Sequence, residues 1–320
     1  MRLLIVTQAV DRNDPVLGFF HRWIEEFAKR CESVVVICLF EGAHALPDNV
    51  RVHSLGKEKG KESRFTYAKR FWRLIGNLRK EYDSVFVHMN PEYVVLGSLL
   101  WMAWGKRVGL WYVHKSVTPT LRIATLLINR VFTASKESFR LSTSKVEVIG
   151  HGIDTEFFAP DTSVVRERHL LSAGRLSPSK RHDLIIRAAA LAARDLRIAG
   201  EGPERARLEA LAESLDCKTE FLGGISQEQL RDEYRNAAYL IHTSETGSLD
   251  KVVLEALATD TAVITTSHVF ASLPVQIVAA TPEDIARCFK RSPDTYDRAS
   301  VIREYHSLPR AIARILSYYG

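Results

Sequence analysis

Cysteine is scarce in this chain: four among 320 residues, at Cys31, Cys38, Cys217 and Cys288, with no Cys-x-x-Cys pair. That spacing argues against a disulfide framework and against a thiolate metal site, and it fits reduced core thiols in the cytosol. Long apolar runs are missing too. The longest, 94–104, is too short to cross a bilayer. Arg2 leads directly into Leu3-Leu4-Ile5-Val6, the pattern of a first buried strand, so no secretory leader is expected. No internal repeat and no disordered composition appears, which excludes solenoids and linker-like segments.

What remains is an ordinary globular composition, 46% apolar and 26% charged, with room for two domains of about 150 residues each. The charge is unevenly divided. Residues 1–150 hold 23 Lys and Arg against 14 Asp and Glu, a net +9, while residues 151–320 hold 21 against 24, a net −3. A basic half of this kind is suited to an anionic surface or acceptor. Its densest part is 57–80. There Phe65, Ala68, Trp72, Ile75 and Leu78 recur at helical spacing with Lys69, Arg70, Arg73, Arg79 and Lys80 among them. Such a helix either lies on anionic lipid or packs its stripe on a sheet with its cations in water, and the two fit different faces.

Apolar strand-like runs at 2–7, 33–39, 84–88, 108–113, 130–133 and 146–149 alternate with helical patterns such as 19–29 and 65–81. The theme repeats at 170–173, 196–199, 219–222, 239–242, 262–265 and 275–278. Alternation of this kind predicts an α/β fold with parallel sheets covered on both faces. Gly150-His151-Gly152 separates the two halves and reads as a hinge.

The stretch Ser244-Glu245-Thr246-Gly247-Ser248-Leu249-Asp250-Lys251-Val252-Val253-Leu254-Glu255-Ala256 follows one strand and precedes another. It places a glycine turn before a helix expected to begin near Leu249, and the amides of a helix start carry partial positive charge suited to a diphosphate. Gly174-Arg175 and Lys180, on the loop after 170–173, put two cations on the same kind of rim. Arg offers a fork and Lys a point charge, a pair able to clamp a pyrophosphate.

The order of Gly174-Arg175 with Lys180, then Ala199-Gly200-Glu201-Gly202-Pro203, Phe221-Leu222-Gly223-Gly224 and Leu254-Glu255-Ala256 resembles the C-terminal domain of the retaining glycosyltransferase family GT4. At the front, 1–8 with Pro15-Val16-Leu17-Gly18-Phe19-Phe20, Trp111-Tyr112-Val113-His114, and His151-Gly152-Ile153-Asp154 with Phe157 and Pro160 are similar to its N-terminal domain and hinge. The resemblance implies the GT-B architecture, two Rossmann-like parallel-sheet domains facing across a cleft. Residues 1–152 would form the acceptor domain, joined by a crossing helix at about 302–320, and 153–301 the nucleotide-sugar donor domain.

It also implies transfer of a sugar from a nucleoside-diphosphate sugar to a hydroxyl acceptor, with retention and without a metal, and no Asp-x-Asp triplet is present. The acceptor is expected to be a lipid-linked or cell-surface glycan. The protein is expected in the cytoplasm, peripheral at the inner membrane face, with no nucleic-acid partner. Arg175 and Lys180 resemble the pyrophosphate pair, and Glu255 the carboxylate that binds the ribose hydroxyls. Gly18 matches a glycine whose size lets amides approach the diphosphate, and Ile225 a place where main chain reads the base. His114 matches a histidine beside the donor sugar and acceptor.

Eight residues before Glu255, where the family has its first glutamate, stands Gly247. Asp250 is the expected replacement and Glu245 the weaker one, with Ser248, Leu249 and Lys251 completing the donor loop. A GT-B sugar-nucleotide epimerase or hydrolase, or a non-catalytic GT-B protein that binds a glycan or a partner, remains the alternative reading.

Overall fold

The computed structural model describes residues 1–14, 16–166, 169–290 and 296–320, so Pro15 of the first glycine loop lies outside the described residues. The chain divides into two compact units, Met1–Gly152 with Leu308–Gly320, and Ile153–Ser307.

The first unit runs β1 (Arg2–Val10), α1 (Phe19–Ala28), β2 (Ser33–Glu41), β3 (Val50–Ser54), α2 (Arg64–Asn77), β4 (Ser84–His88), α3 (Pro91–Ala103), β5 (Arg107–Trp111), α4 (Pro119–Leu127), β6 (Arg130–Thr133) and β7 (Val146–Val148). Among the described residues its strands form one parallel sheet in the order β3-β2-β1-β4-β5-β6-β7. β1 is central, and Leu3 to Val6 are fully buried, as expected of a parallel strand covered on both faces. Side chains alternate across a strand. Leu3 and Ile5 therefore pack under α1, while Leu4 and Val6 pack under α2, α3 and α4. The edge strand β3 was not expected from the sequence; its residues are only half-buried at best, so its apolar alternation is weak.

The second unit runs β8 (Leu170–Ala173), α5 (His182–Leu191), β9 (Leu196–Ala199), α6 (Arg205–Ser214), β10 (Thr219–Gly223), α7 (Gln227–Asn236), β11 (Tyr239–His242), α8 (Lys251–Ala258), β12 (Ala262–Thr265), β13 (Gln276–Ile277), α9 (Pro282–Cys288) and α10 (Arg298–His306). Its described strands are again all parallel, in the order β10-β9-β8-β11-β12-β13. The same alternation sends Leu170 to the face under α5, α6 and α9, and Leu171 to the face under α8 and α10.

The last helix, α11 (Leu308–Tyr319), belongs to the first unit. Leu308, Ala311, Ile312, Ile315 and Tyr319 recur at helical spacing in the core under α1, and the Tyr319 hydroxyl donates to the Val85 carbonyl at 2.8 Å. The chain leaves the second unit at Ser307, not at 301 as the sequence suggested, because Ile302 of α10 is buried in the core of that unit. Its two ends are tied there, the Ile153 N–H donating to the His306 carbonyl at 2.7 Å. All four cysteines are buried free thiols.

Gly200, at the end of β9, shows why glycine is required in these loops. Its φ is +146°, and a Cβ there would stand 1.9 Å from the Gly174 carbonyl oxygen, the loop after β8 lying directly against it. Gly76 in α2 meets nothing within 4 Å. Gly200→Ala should therefore destabilise by roughly 1–3 kcal/mol, whereas Gly76→Ala should stabilise by roughly 0.5–1 kcal/mol. Denaturant midpoints for the two variants check the opposite signs.

Candidate functional site

The strand order of the second unit reverses its direction of winding between β8 and β11. Loops leaving the carboxyl ends of two such neighbours diverge and open a crevice, the usual ligand place in open parallel sheets. Residues 174–181 leave β8, and residues 243–250 leave β11. Hydrogen bonds from two residues sew them together. The Thr243 hydroxyl donates to the carbonyls of Lys180 at 2.9 Å and Arg181 at 3.0 Å, and the Glu245 N–H donates to the Ser179 carbonyl at 2.9 Å.

Asp250 is the meeting point. It immediately precedes α8, which starts at Lys251 and not near Leu249, because Asp250 keeps an extended backbone with φ −66° and ψ 131°. Its carboxylate makes no cap bond to that helix. Instead it forms an ion pair with Lys180 Nζ from the other loop and accepts a hydrogen bond from His242 Nε2 at 2.9 Å. His242, the last residue of β11, is fixed by Thr265 Oγ1 of β12, 3.0 Å from its Nδ1, and by the edge-on ring of Phe270 at 5.1 Å. A carboxylate only accepts, so Nε2 carries the proton that faces Asp250. Burial pushes the Asp250 carboxyl up, but the His242 bond and the Lys180 charge outweigh it and bring the pKa down to about 2. The carboxylate is turned away from the helix, so no side chain caps the start of α8, and the Val253 N–H of its first turn donates to the Asp250 carbonyl at 3.2 Å.

Arg175 follows Gly174 at the mouth of the same loop. Its guanidinium is exposed and makes no hydrogen bond or ion pair among the described residues. Below the loop, His182 lies 2.9 Å from Ser172 Oγ, and burial drives its pKa down to about 4, which keeps it neutral at pH 7. Glu245 is exposed and paired with Arg181, a residue held at φ +52°.

Gly247 has φ +59°, the left-handed region that a glutamate occupies only at a cost of about 1–2 kcal/mol. The glycine is therefore matched to its backbone. Ser248 is half-buried in the loop, and Leu249 is buried in the core beside α8. Lys251 Nζ reaches Glu255 Oε1 at 3.2 Å, and the Tyr234 hydroxyl donates to Glu255 Oε2 at 3.2 Å. Glu255 itself is only 4% exposed, so its carboxylate is committed to these two partners. Ile225 packs its side chain on the same core.

Two of the expected residues lie in the first unit. His114, three residues beyond β5, is exposed, and its Nδ1 accepts the Ser116 N–H at 3.2 Å. Gly18 precedes α1 with an ordinary φ of −55°; a Cβ there would stand 2.6 Å from the Asp14 carbonyl oxygen, so its smallness serves the turn that starts the helix. Sequence reasoning missed His242 and Arg181. The one available signal for His242 was an imidazole at the carboxyl end of a strand, eight residues before Asp250.

The glycosyl transferases group 1 family matches residues 154–276. That range contains both loops and the whole Lys180–Asp250–His242 cluster. The second unit is similar to a group 1 glycosyl transferase domain over most of its length. Among curated relatives, the N-acetylgalactosamine-N,N'-diacetylbacillosaminyl-diphospho-undecaprenol 4-alpha-N-acetylgalactosaminyltransferase of Campylobacter jejuni is 29% identical over 137 residues, 41% of this chain and 38% of that protein. The D-inositol 3-phosphate glycosyltransferase of Kribbella flavida is 35% identical over 146 residues, 38% of this chain and 34% of that protein. The matched region thus spans between a third and two fifths of those relatives.

Among solved structures, Anabaena Alr3699/HepE in complex with UDP superposes with a TM-score of 0.76 at 16% identity, covering 99% of both chains. Likeness at that identity establishes the fold, and the chain has the GT-B fold of two Rossmann-like parallel-sheet units.

The lowered pKa of Asp250 gives the domain a dependence on acid. A carboxyl whose folded pKa lies below its unfolded value of about 3.9 adds stability that is complete above pH 4 and is lost as pH falls through the folded value. Stability of the wild type relative to Asp250→Asn should therefore fall between pH 4 and pH 2 and be flat from pH 5 to 7. Denaturant titrations of both proteins across that range check it; parallel curves throughout would contradict the assignment.

Proposed function

We propose that the protein is a retaining glycosyltransferase that moves a sugar from a nucleoside-diphosphate sugar to a hydroxyl of a lipid-linked or cell-surface glycan. One observation carries this reading: Lys180 from the loop after β8 and the start of α8, which no side chain caps, meet at Asp250 in the crevice of a domain similar to group 1 glycosyl transferases, with the exposed Arg175 on the same loop as Lys180. The cations and amides suit a diphosphate. As the bond from the anomeric carbon to the β-phosphate oxygen breaks, negative charge grows on that oxygen, and fixed donors there stabilise the departing group. The acceptor oxygen forms its bond to the anomeric carbon on the same face of the sugar and passes its proton to the departing β-phosphate oxygen, so that glycoside and nucleoside diphosphate are the two products. The reading requires no metal, because Arg175, Lys180 and the helix start supply the positive charge.

A diphosphate arriving at Lys180 competes with Asp250 for its ammonium. Asp250, still held by His242, is then free to accept from a hydroxyl of the transferred sugar. That is the role Gly247 cannot fill. The solved relative that binds UDP and the Campylobacter relative named for a diphospho-undecaprenol acceptor support the donor and acceptor classes. The basic charge of residues 1–150 supports peripheral contact with an anionic membrane where such acceptors reside.

A thermal-shift panel of UDP, GDP and ADP tests the diphosphate site: one base should raise the melting temperature, and Arg175→Ala and Lys180→Ala should each remove the shift. Asp250→Ala should keep the shift but lower transfer by roughly a hundredfold or more. A variant with near-normal transfer would reject the role of Asp250, and no shift with any nucleotide would reject the reading.

A further inference from the structure

Helices α2, α3 and α4 form one layer over the first unit's sheet, with Phe71, Ile75, Trp101, Leu121 and Ala124 turned into the core. Their outer sides are unlike those of the opposite layer. Of the thirteen large hydrophobic side chains exposed among the described residues, seven lie on these three helices and none on α1 or α11. Phe65 on α2 is 72% exposed, Leu99 on α3 71%, and Leu126 on α4 79%. Met102 and Ile123 are exposed beside them.

Cations share these faces. On α2 the residues Phe65, Lys69, Trp72 and Arg73 are spaced i, i+4, i+7 and i+8, one stripe of alternating aromatic and basic side chains, all exposed. On α4, Arg122 and Leu126 are one turn apart on the outer side. Lys69, Arg73 and Arg122 make no ion pair among the described residues. Residues 64–127 contain ten Lys and Arg against three Asp and Glu. Two of those three acids, Glu81 and Asp83, are paired with Arg51 and Arg2.

This combination selects among occupants. A second copy of the chain would set the same excess of positive charge against itself. The core of a protein interface is also poor in lysine. An anionic bilayer takes both components, the apolar side chains at the boundary of headgroups and acyl chains and the cations at the lipid phosphates. We infer that the α2–α3–α4 face docks on an anionic lipid surface, with Leu99 and Leu126 entering the acyl boundary, Phe65 and Trp72 at headgroup level, and Lys69, Arg73 and Arg122 on phosphates. The inference rests on the peripheral-membrane part of the proposed function and does not require the donor chemistry. It also assigns the apolar half of the contact to α3 and α4, outside the basic segment 57–80.

The test is co-sedimentation of the full chain with vesicles of phosphatidylcholine alone and of phosphatidylcholine with phosphatidylglycerol. Wild type should bind the mixed vesicles and not the neutral ones. At about 1 kcal/mol, or fivefold, per cation near an anionic surface, Lys69→Gln/Arg73→Gln/Arg122→Gln should lower partitioning about a hundredfold. Leu99→Ser/Leu126→Ser should weaken it at least about tenfold. Equal binding to neutral vesicles, no binding to either, or unchanged binding by both variants would overturn the inference. So would light scattering that shows a dimer broken by the Leu99/Leu126 substitutions, which would make the face a contact between copies. All substitutions are at exposed positions, and an unchanged melting temperature shows that the fold is intact. Nucleotide thermal shifts of the same variants should match wild type; vesicle binding without any nucleotide shift would sink the donor reading alone.

Discussion

Asp250 is held from two strands at once, by His242 at the end of β11 and by Lys180 on the loop after β8. Those strands are neighbours only because the sheet order turns there, so the topology of the unit is what makes the cluster. The consequences reach outward. A carboxylate turned to Lys180 leaves the start of α8 without a side-chain cap, and a loop tied through Thr243 and Glu245 keeps Lys180 beside it. Removing the cluster would leave the two loops joined through Thr243 and Glu245 near the sheet.

The glycines serve the same end from the backbone side. Gly200 allows the loop after β9 to lie on Gly174, which sets the direction in which Arg175 leaves the sheet. Gly247, in the left-handed region, lets the loop after β11 turn back before α8.

Much of the scaffold was legible because buried parallel strands are short continuous apolar runs. β4, β6, β8, β9, β11 and β12 lie at 84–88, 130–133, 170–173, 196–199, 239–242 and 262–265, where those runs stand. β3 was not legible, since Val50–Ser54 is an edge strand whose side chains are only partly covered. The unit boundary was displaced because α10 and α11 are both helical, and only burial of Ile302 in one core and Ile312 in the other separates them. At the site, Arg175, Lys180 and Asp250 could be read from loop positions beside strands. His242 could not, because its role depends on a bond between residues eight apart and a buttress from the next strand. Nor could the exposed faces of α3 and α4, since apolar residues on a helix look alike in sequence whether they face the core or the solvent.

The central claim is that Asp250 and a bound diphosphate compete for Lys180. Calorimetric titration of the stabilising nucleoside diphosphate into wild type, Asp250→Asn, Lys180→Met and the double variant measures that competition as a coupling between the two residues. The account expects Asp250→Asn to tighten binding by roughly three- to tenfold when Lys180 is present and to have no effect when it is absent. Unchanged or weakened affinity in Asp250→Asn, or effects that simply add in the double variant, would contradict it.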